Sequence, residues 1–167
     1  SFVDLNCIRL RYYSYECSPK YNDYAAKCIF LKLEAPTKYN EFKLIGLLRL
    51  RLNYKSNPIT FDHAIIRELH IYGNYIPKGV IPLQSNIVQH RGYGKFLLKI
   101  AEFIAYIHGY RSITVISAPG TMAYYIKRGY YQEGRYPVKE LNFNLFVRNL
   151  GSIMGSGIGI KVGDFLI

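Results

Sequence analysis

The stretch VQHRGYGKFLLKIAEFIAYIHGY, residues 88–110, decides the fold. Its second half carries apolar residues at helical spacing: Leu97, Leu98, Ala101, Ile104 and Ala105. This spacing predicts an amphipathic helix with one face packed on a sheet. Gly109 follows the last periodic residues, where the end of a helix favours glycine.

The turn Gly92-Tyr93-Gly94, after which the helix is expected to open, is typical of an anion site. Glycine lets a ligand approach the backbone without meeting a Cβ. The first N–H groups of a helix have no internal partner, and the helix dipole adds about half a positive charge there. Arg91 and Lys95 reinforce this charge, so the turn is predicted to bind a diphosphate.

Two common phosphate-binding motifs do not fit the turn. A P-loop requires Ser or Thr after its lysine, but Phe96 follows Lys95. The dinucleotide fingerprint requires a third glycine, but Leu97 stands there. The pattern that remains is Gln-x-x-Gly-x-Gly at residues 89–94, with a purely structural glycine turn as the alternative.

Composition and charge limit the class of protein. The chain has 167 residues, half of them apolar, which suits one domain with a core. Its net charge is 22 − 11 = +11, which favours a polyanionic partner over simple solubility. No apolar run reaches the roughly 18 residues of a membrane span, and no signal peptide is recognisable. A membrane partner is therefore not expected.

The three cysteines, Cys7, Cys17 and Cys28, form no Cys-x-x-Cys motif. Their odd number predicts reduced thiols in a cytosolic compartment rather than a disulfide framework. The four histidines show no metal-ligand spacing, so no zinc site is expected.

Alternating and apolar runs predict an α/β fold. Strands are expected at residues 27–35, 42–53, 63–73 and 112–117, and a short helix at 122–129. A final strand is expected to begin near residue 130. From residue 42 onward, the order strand, strand, helix, strand, helix, strand is typical of the α/β class.

The tail has glycine at every fourth position from Gly151 to Gly163. Such spacing can pack membrane helices, but Arg148, Lys161 and Asp164 interrupt the segment. A flexible or strand-like extension is therefore expected, because so much glycine lowers helix propensity.

Five segments carry a family resemblance, in this order: IIRELHIYG (65–73), QHRGYGKFLLKIAEFIA (89–105), GYRSITVIS (109–117), YYIKRGY (124–130) and EGRYPVK (133–139). Together they resemble the C-terminal acetyltransferase domain of the Elongator catalytic subunit, a member of the GNAT superfamily. The resemblance is strong over residues 45–139 and weaker over 1–44, where CIRLR (7–11) fits the family's linker. It divides the chain into a linker-like segment (1–44), an acetyl-CoA-binding core (45–140) and a glycine-repeat extension (141–167).

The resemblance implies a mixed central sheet flanked by helices, and an enzyme that binds and hydrolyses acetyl-CoA. In the family this activity serves the carbon-5 carboxymethyl modification of the wobble uridine of tRNA. It also implies tRNA binding, other Elongator subunits in a eukaryote, and a cytoplasmic location that can extend to the nucleus. The family's iron–sulfur cluster and S-adenosylmethionine belong to a radical domain whose cysteine motif this chain does not contain.

Site residues also follow from the resemblance. The strand ending at Gly73 should part from strand 112–117, and the pantetheine arm should enter the gap. The expected coenzyme contacts are Glu68, Leu69, His70, Ile71, Val88, Gln89, His90, Arg91, Gly92, Tyr93, Gly94 and Tyr125. The expected catalytic residues are Tyr125 near the thioester sulfur, Tyr124, which packs or contacts substrate, and Glu68. The alternatives are an aromatic packing role for the tyrosines and a strand-end pair for Glu68 and His70.

The chain departs from the family pattern at two places. Residues 117–122 read Ser-Ala-Pro-Gly-Thr-Met where the family commonly reads Ser-Gly-Val-Gly-Thr-Arg, which puts substrate handling in doubt. Asn6 stands near the position of a second linker cysteine that binds metal in the family, so no metal is expected here.

Basic residues interleaved with aromatics are candidates for tRNA phosphates: Arg9, Arg11, Arg49, Arg51, Lys78, Arg111 and Lys127. Two other functions stay open. A protein or small-molecule N-acetyltransferase would need Glu68 as its base. A non-catalytic binding module of the same fold is the other, and the altered loop at residues 118–122 favours it.

Overall fold

A computed structural model describes residues 3–17, 26–53, 63–73 and 92–162. Its strands and helices, in chain order, are β1 Arg9–Cys17, β2 Ala26–Pro36, β3 Phe42–Asn53, β4 His63–Ile71, α1 Tyr93–Ile107, β5 Ser112–Val115, α2 Met122–Ile126, β6 Tyr131–Glu133, β7 Tyr136–Glu140, α3 Phe143–Met154 and β8 Gly159–Val162.

All eight described strands form one mixed sheet in the order β6-β7-β5-β4-β3-β2-β1-β8. The β4–β5 and β1–β8 pairs are parallel, and the other pairs are antiparallel. The predicted α/β class is confirmed.

The period-2 pattern of β3 explains how the sheet meets α1. Leu48, Leu50 and Leu52 are buried on one face, while Arg49 and Arg51 alternate onto the other. The buried face packs on the apolar side of α1, whose Leu97, Ala101 and Ala105 are fully buried. The core therefore lies between the sheet and α1.

The end of the chain differs from the prediction. The expected final strand is a hairpin, β6 and β7, and a 12-residue helix follows it. Asn142 caps α3 by accepting a hydrogen bond from the Leu145 N–H (2.8 Å). Phe146 stacks on Phe103 and Tyr106 of α1, with both pairs of ring centroids 5.1 Å apart. The low helix propensity expected for this segment is offset by tertiary packing.

The strand-like part of the tail prediction is confirmed for β8, which pairs with β1. The sheet thus takes strands from all three predicted segments of the chain. The division near residues 44 and 140 stays a prediction. Among the described residues, no helix combines the length and apolarity needed to cross a membrane.

The prediction of three reduced thiols was wrong for two of them. Cys17 of β1 and Cys28 of β2 form a disulfide, and Cys7 is free and exposed. The β1–β2 register sets Cys17 opposite Ala26 and Cys28 opposite Tyr15. The two cysteines are therefore diagonal neighbours with Cα atoms 5.9 Å apart, within the usual range for a disulfide.

A thiol count tests this pairing. In denaturant without reductant, the chain should show one free thiol, that of Cys7, because the other two of its three cysteines are bonded. Reduction should expose all three. Cys7→Ser should remove the thiol seen without reductant, and three thiols in the unreduced chain would contradict the pairing.

Candidate functional site

Strands β4 and β5 part at the middle of the sheet. Their parallel ladder ends at Ile66 and Val115, and the Ile116 N–H donates to the Ile66 carbonyl (2.8 Å). Beyond this point β4 continues to Ile71, paired with β3 on its other edge. Among the described residues, the edge at positions 67–71 has no strand partner on the β5 side. An exposed strand edge of this kind can pair with an extended ligand.

A β-bulge explains why the strands part there. Adjacent β3 residues Arg49 and Leu50 pair with Glu68 and Ile66, so Arg67 is an extra residue in β4. Bulges bend and twist a strand and are frequent next to functional sites. The sequence carried a signal for it, because the apolar positions that pack on the core step by three between Ile66 and Leu69 instead of by two.

The N-terminus of α1 is open to an anion. Gly92 is the N-cap, with φ 80° and ψ 14°, a left-handed conformation that favours glycine. In the described part of the chain, no side chain caps this helix and no acidic residue lies in its first turn. The first internal hydrogen bond runs from the Phe96 N–H to the Gly92 carbonyl (2.9 Å), so the N–H groups of Gly94 and Lys95 have no partner within the helix. The helix begins at Tyr93, within the turn rather than after it.

Gly94 brings three elements together. It is buried in the first turn of α1, and a Cβ there would overlap the Tyr124 hydroxyl of α2. The same Cβ would lie 3.6 Å from Cγ1 of Ile71, at the end of β4. Only glycine allows this approach, which sets the Tyr124 hydroxyl beside the turn predicted to bind an anion and beside the β4 edge that has no strand partner among the described residues.

Tyr124 is a half-buried phenol held by a cation. The Arg128 guanidinium lies over its ring, 3.5 Å from the centroid, and Nη1 donates to the Tyr124 carbonyl (2.7 Å). Burial raises the pKa of the Tyr124 phenol, while the charge and hydrogen bond of Arg128 oppose the rise. The hydroxyl is therefore a protonated donor at neutral pH.

Tyr125 lies in the core instead. Its side chain is 6% exposed, edge-on to Tyr124 (5.1 Å between centroids) and to Tyr130 (5.7 Å). Burial, and after it the neighbouring Tyr124, raise the pKa of Tyr125 to about 12. The role of Tyr125 beside the coenzyme stays a prediction, and its described contacts are those of the packing alternative.

Glu68 and His70 pair with each other at the end of β4. The Glu68 carboxylate contacts His70 Nε2 (3.0 Å) and Arg49 Nη1 (3.4 Å). Leu69 and Ile71 alternate to the other face, where they pack on the core. The structure thus brings Ile71, Tyr93, Gly94 and Tyr124 together, and it holds Glu68 and His70 as a strand-end pair.

The loop that departs from the family pattern lines a cavity of about 490 Å³. Ala118, Pro119 and Gly120 form one side, and Arg135 and Tyr136 of the β6–β7 hairpin form the other. The Thr121 hydroxyl donates to the Ala118 carbonyl (2.7 Å) and closes the loop.

Some predicted residues lie outside the described part of the chain: Lys78, Val88, Gln89, His90 and Arg91. Within the described part, no group of three or more His, Cys, Asp or Glu side chains is arranged to hold a metal ion.

The chain is similar to known proteins. It is 42% identical over 119 residues to Elongator complex protein 3 of Danio rerio, and 43% identical over 119 residues to that of Homo sapiens. Each match covers 67% of this chain and 20% of the relative. The solved structure of the archaeal Methanocaldococcus infernus Elp3 with an N-terminal deletion is 35% identical, with a TM-score of 0.63. That match covers 83% of this chain and 31% of the archaeal one. No family model matches the chain.

The mixed sheet, its helices and the parting of β4 from β5 have the GNAT-type α/β fold, as predicted. The chain belongs to the Elongator complex protein 3 family and matches its C-terminal domain. It spans about a fifth of the length of the curated relatives it matches.

Substitution of Gly94 tests the meeting of the three elements. Gly94→Ala should destabilise the chain by about 1–3 kcal/mol in urea unfolding, because the new methyl group overpacks against the Tyr124 hydroxyl. Tyr124→Phe removes that oxygen, so the double variant should recover part of the loss.

Gly151→Ala is the matched control. This helical glycine of α3 has open space where a Cβ would lie, so alanine should be neutral or stabilising. A Gly94→Ala chain as stable as the parent, with no coupling to Tyr124, would contradict the contact.

Proposed function

We propose that this chain binds acetyl-CoA and cleaves its thioester as the acetyltransferase domain of an Elongator-type enzyme that modifies the wobble uridine of tRNA. The observation that carries the proposal is the meeting, at Gly94, of three described features: an uncapped helix N-terminus, a β4 edge without a described strand partner, and the Tyr124 hydroxyl. Together they offer a phosphate site, an extended groove and a proton donor.

The coenzyme would lie across these features in order. Its diphosphate would accept hydrogen bonds from the first N–H groups of α1, next to the Lys95 charge. Its pantetheine arm would pair with the β4 edge at residues 67–71 as an added strand. Residues 88–91 and the backbone of Glu68, Leu69, His70 and Ile71 complete the predicted contacts.

Acetyl-CoA supplies an activated acyl group, and the residues at the end of β4 would act on its carbonyl. A backbone N–H of β4 would donate to the carbonyl oxygen, where one oriented donor contributes about 3 kcal/mol to an acyl-transfer transition state. Water would attack the carbonyl carbon and the C–S bond would break, which gives acetate and the CoA thiol. Tyr124 would donate a hydrogen bond to the departing sulfur. A free thiol has a pKa near 8.5, below that of a phenol, so Tyr124 acts by position more than by acid strength.

Two of the predicted catalytic residues have supporting roles in this scheme. Tyr125 would hold Tyr124 by edge-on packing. Glu68 is engaged by Arg49 and His70, so its backbone rather than its carboxylate would serve the coenzyme.

The tRNA, the other Elongator subunits and the cytoplasmic location are proposals that rest on kinship and charge. A net charge of +11 favours a nucleic acid partner. The complete uridine modification would need the radical chemistry of an iron–sulfur domain beyond these residues. In a reducing cytoplasm the Cys17–Cys28 bond would be opened.

An N-acetyltransferase is the second candidate. The contact between Glu68 and His70 (3.0 Å) on a partly exposed strand end favours it, because such a pair can accept a proton from an amine. Turnover that requires an amine and not tRNA would support this candidate.

Release of the CoA thiol, with and without folded tRNA, tests the proposal. Acetyl-CoA turnover should rise with tRNA. Tyr124→Phe should lower kcat about 100-fold with little change in KM, because the lost group acts on the leaving sulfur.

Tyr125→Phe is the control, since it removes an adjacent hydroxyl from the core. It should alter stability and leave kcat within about threefold of the parent, as expected for packing alone. The reverse pattern would assign the reacting position to Tyr125. No acetyl-CoA binding at all would make the chain a non-catalytic module.

A further inference from the structure

A second cavity, of about 850 Å³, lies between α1 and α3 and is bounded by β7 and the turn after α2. Its lining includes five cationic side chains: Lys95, Lys99, Arg128, Lys139 and Arg148. Two carboxylates, Glu102 and Glu140, also line it, so the formal charge of the lining is 5 − 2 = +3. The size lies in the range of small-molecule sites, roughly 300–1,000 Å³.

The one buried carboxylate of this lining is already neutralised. Glu102 is 2% exposed and accepts hydrogen bonds from Lys139 Nζ (3.0 Å), the Tyr130 hydroxyl (3.0 Å) and Asn149 Nδ2 (2.9 Å). Both of its oxygens and one of the five cations are occupied by this network. The remaining cations are not balanced by it.

The other cations lack described acidic partners. Among the described residues, no carboxylate oxygen lies within 4.0 Å of the charged nitrogens of Lys99, Arg128 or Arg148. Lys99 Nζ donates to the neutral Ser152 hydroxyl (3.0 Å). Arg128 is engaged elsewhere, because its guanidinium lies over the Tyr124 ring and Nη1 donates to the Tyr124 carbonyl (2.7 Å). The charged groups of Lys99 and Arg148 could serve an anion.

Crowding of like charges supports the same conclusion. Burial lowers the pKa of Lys99, and the nearby Lys95 and Lys139 lower it further, against the opposing Glu102. A bound anion would relieve this repulsion. The α1 residues that line the cavity run from Lys95 to Glu102. They span roughly 10 Å along the helix axis, which is about the length of a nucleotide.

An aromatic ring adds to the chemistry of the ligand. Tyr131 lines the cavity and is 45% exposed, which leaves a ring face on which a base could stack. We propose that this cavity binds a phosphorylated nucleotide, with its phosphates between Lys99 and Arg148 and its base against Tyr131. The proposal goes beyond acetyl-CoA turnover and does not depend on it.

Two sources share this chemistry, a free nucleotide and the nucleotide end of coenzyme A. The nucleotide end of coenzyme A could reach the cavity, because Lys95 of its lining lies in the first turn of α1, next to the proposed diphosphate site. Calorimetric titration of the whole chain with adenosine 3′,5′-bisphosphate tests the site itself. Binding should weaken as salt rises, because the contacts are ionic.

Charge reversal should locate the site. Lys99→Glu should weaken bisphosphate binding about tenfold or more, since it replaces a donor by a repelling carboxylate. Arg148→Glu, on the exposed side of α3, should do the same without disturbing the core. Lys38→Glu, the same charge change in the exposed β2–β3 turn, should leave affinity within about twofold. Thermal unfolding of each variant checks the fold.

Coenzyme A and dephospho-coenzyme A separate the two sources. If Lys99→Glu weakens coenzyme A more than the dephospho form, the cavity holds the coenzyme's 3′-phosphate. If it weakens the bisphosphate alone, the ligand is a separate nucleotide. The proposal is overturned if the parent chain does not bind the bisphosphate at millimolar concentration. It is also overturned if Lys99→Glu and Arg148→Glu both leave bisphosphate binding unchanged. Bisphosphate binding without acetyl-CoA turnover would instead overturn the proposed function, while the nucleotide site in the cavity would stand.

Discussion

The buried carboxylate of Glu102 is the constraint on which the arrangement of the helices depends. It lies on α1 and accepts hydrogen bonds from Tyr130 before β6, Lys139 of β7 and Asn149 of α3. A buried charge left without its partner costs about 3–5 kcal/mol. The carboxylate therefore has one favourable arrangement, in which α1, α3 and the β6–β7 hairpin all reach it.

This constraint joins the two candidate sites. The N-terminus of α1 forms the turn beside Gly94 that is proposed to bind an anion, and the flank of the same helix from Lys95 to Glu102 lines the basic cavity. A shift of α1 that broke its bonds to α3 and β7 would also move the turn away from Tyr124. The two candidate sites thus lie along one helix.

The sequence predicted those features that depend on neighbouring residues along the chain, such as strand alternation and helical periodicity. The bounds of β3, the start of β4 and the periodicity of α1 follow from alternation and helical spacing, and the glycine turn was recognised from what an anion site requires. The predicted end of β4 at Gly73 lies two residues beyond its observed end at Ile71. The disulfide required the β1–β2 register, and α3 required the aromatic contacts of Phe146 with α1. Both depend on contacts between residues far apart in the sequence. The number of cysteines does not reveal the strand register, and the glycines of the tail do not reveal the aromatic contacts. The Glu102 network was missed because one acidic residue on an apolar helix face has no pattern of its own.

The adjacent tyrosines show the same limit at the scale of a single residue. Side chains one position apart on a helix point about 100° apart, so Tyr124 and Tyr125 cannot both face the α1 turn. The sequence motif identifies the two adjacent tyrosines but does not show which of them faces the α1 turn. In the structure Tyr125 packs on Tyr130, which donates to Glu102, while Tyr124 packs on Tyr125 and reaches Gly94. The buried Tyr125 thus connects Tyr124 to Tyr130 and, through Tyr130, to the Glu102 carboxylate. The Tyr124 phenol at the sheet opening is therefore positioned by the same carboxylate that holds α1.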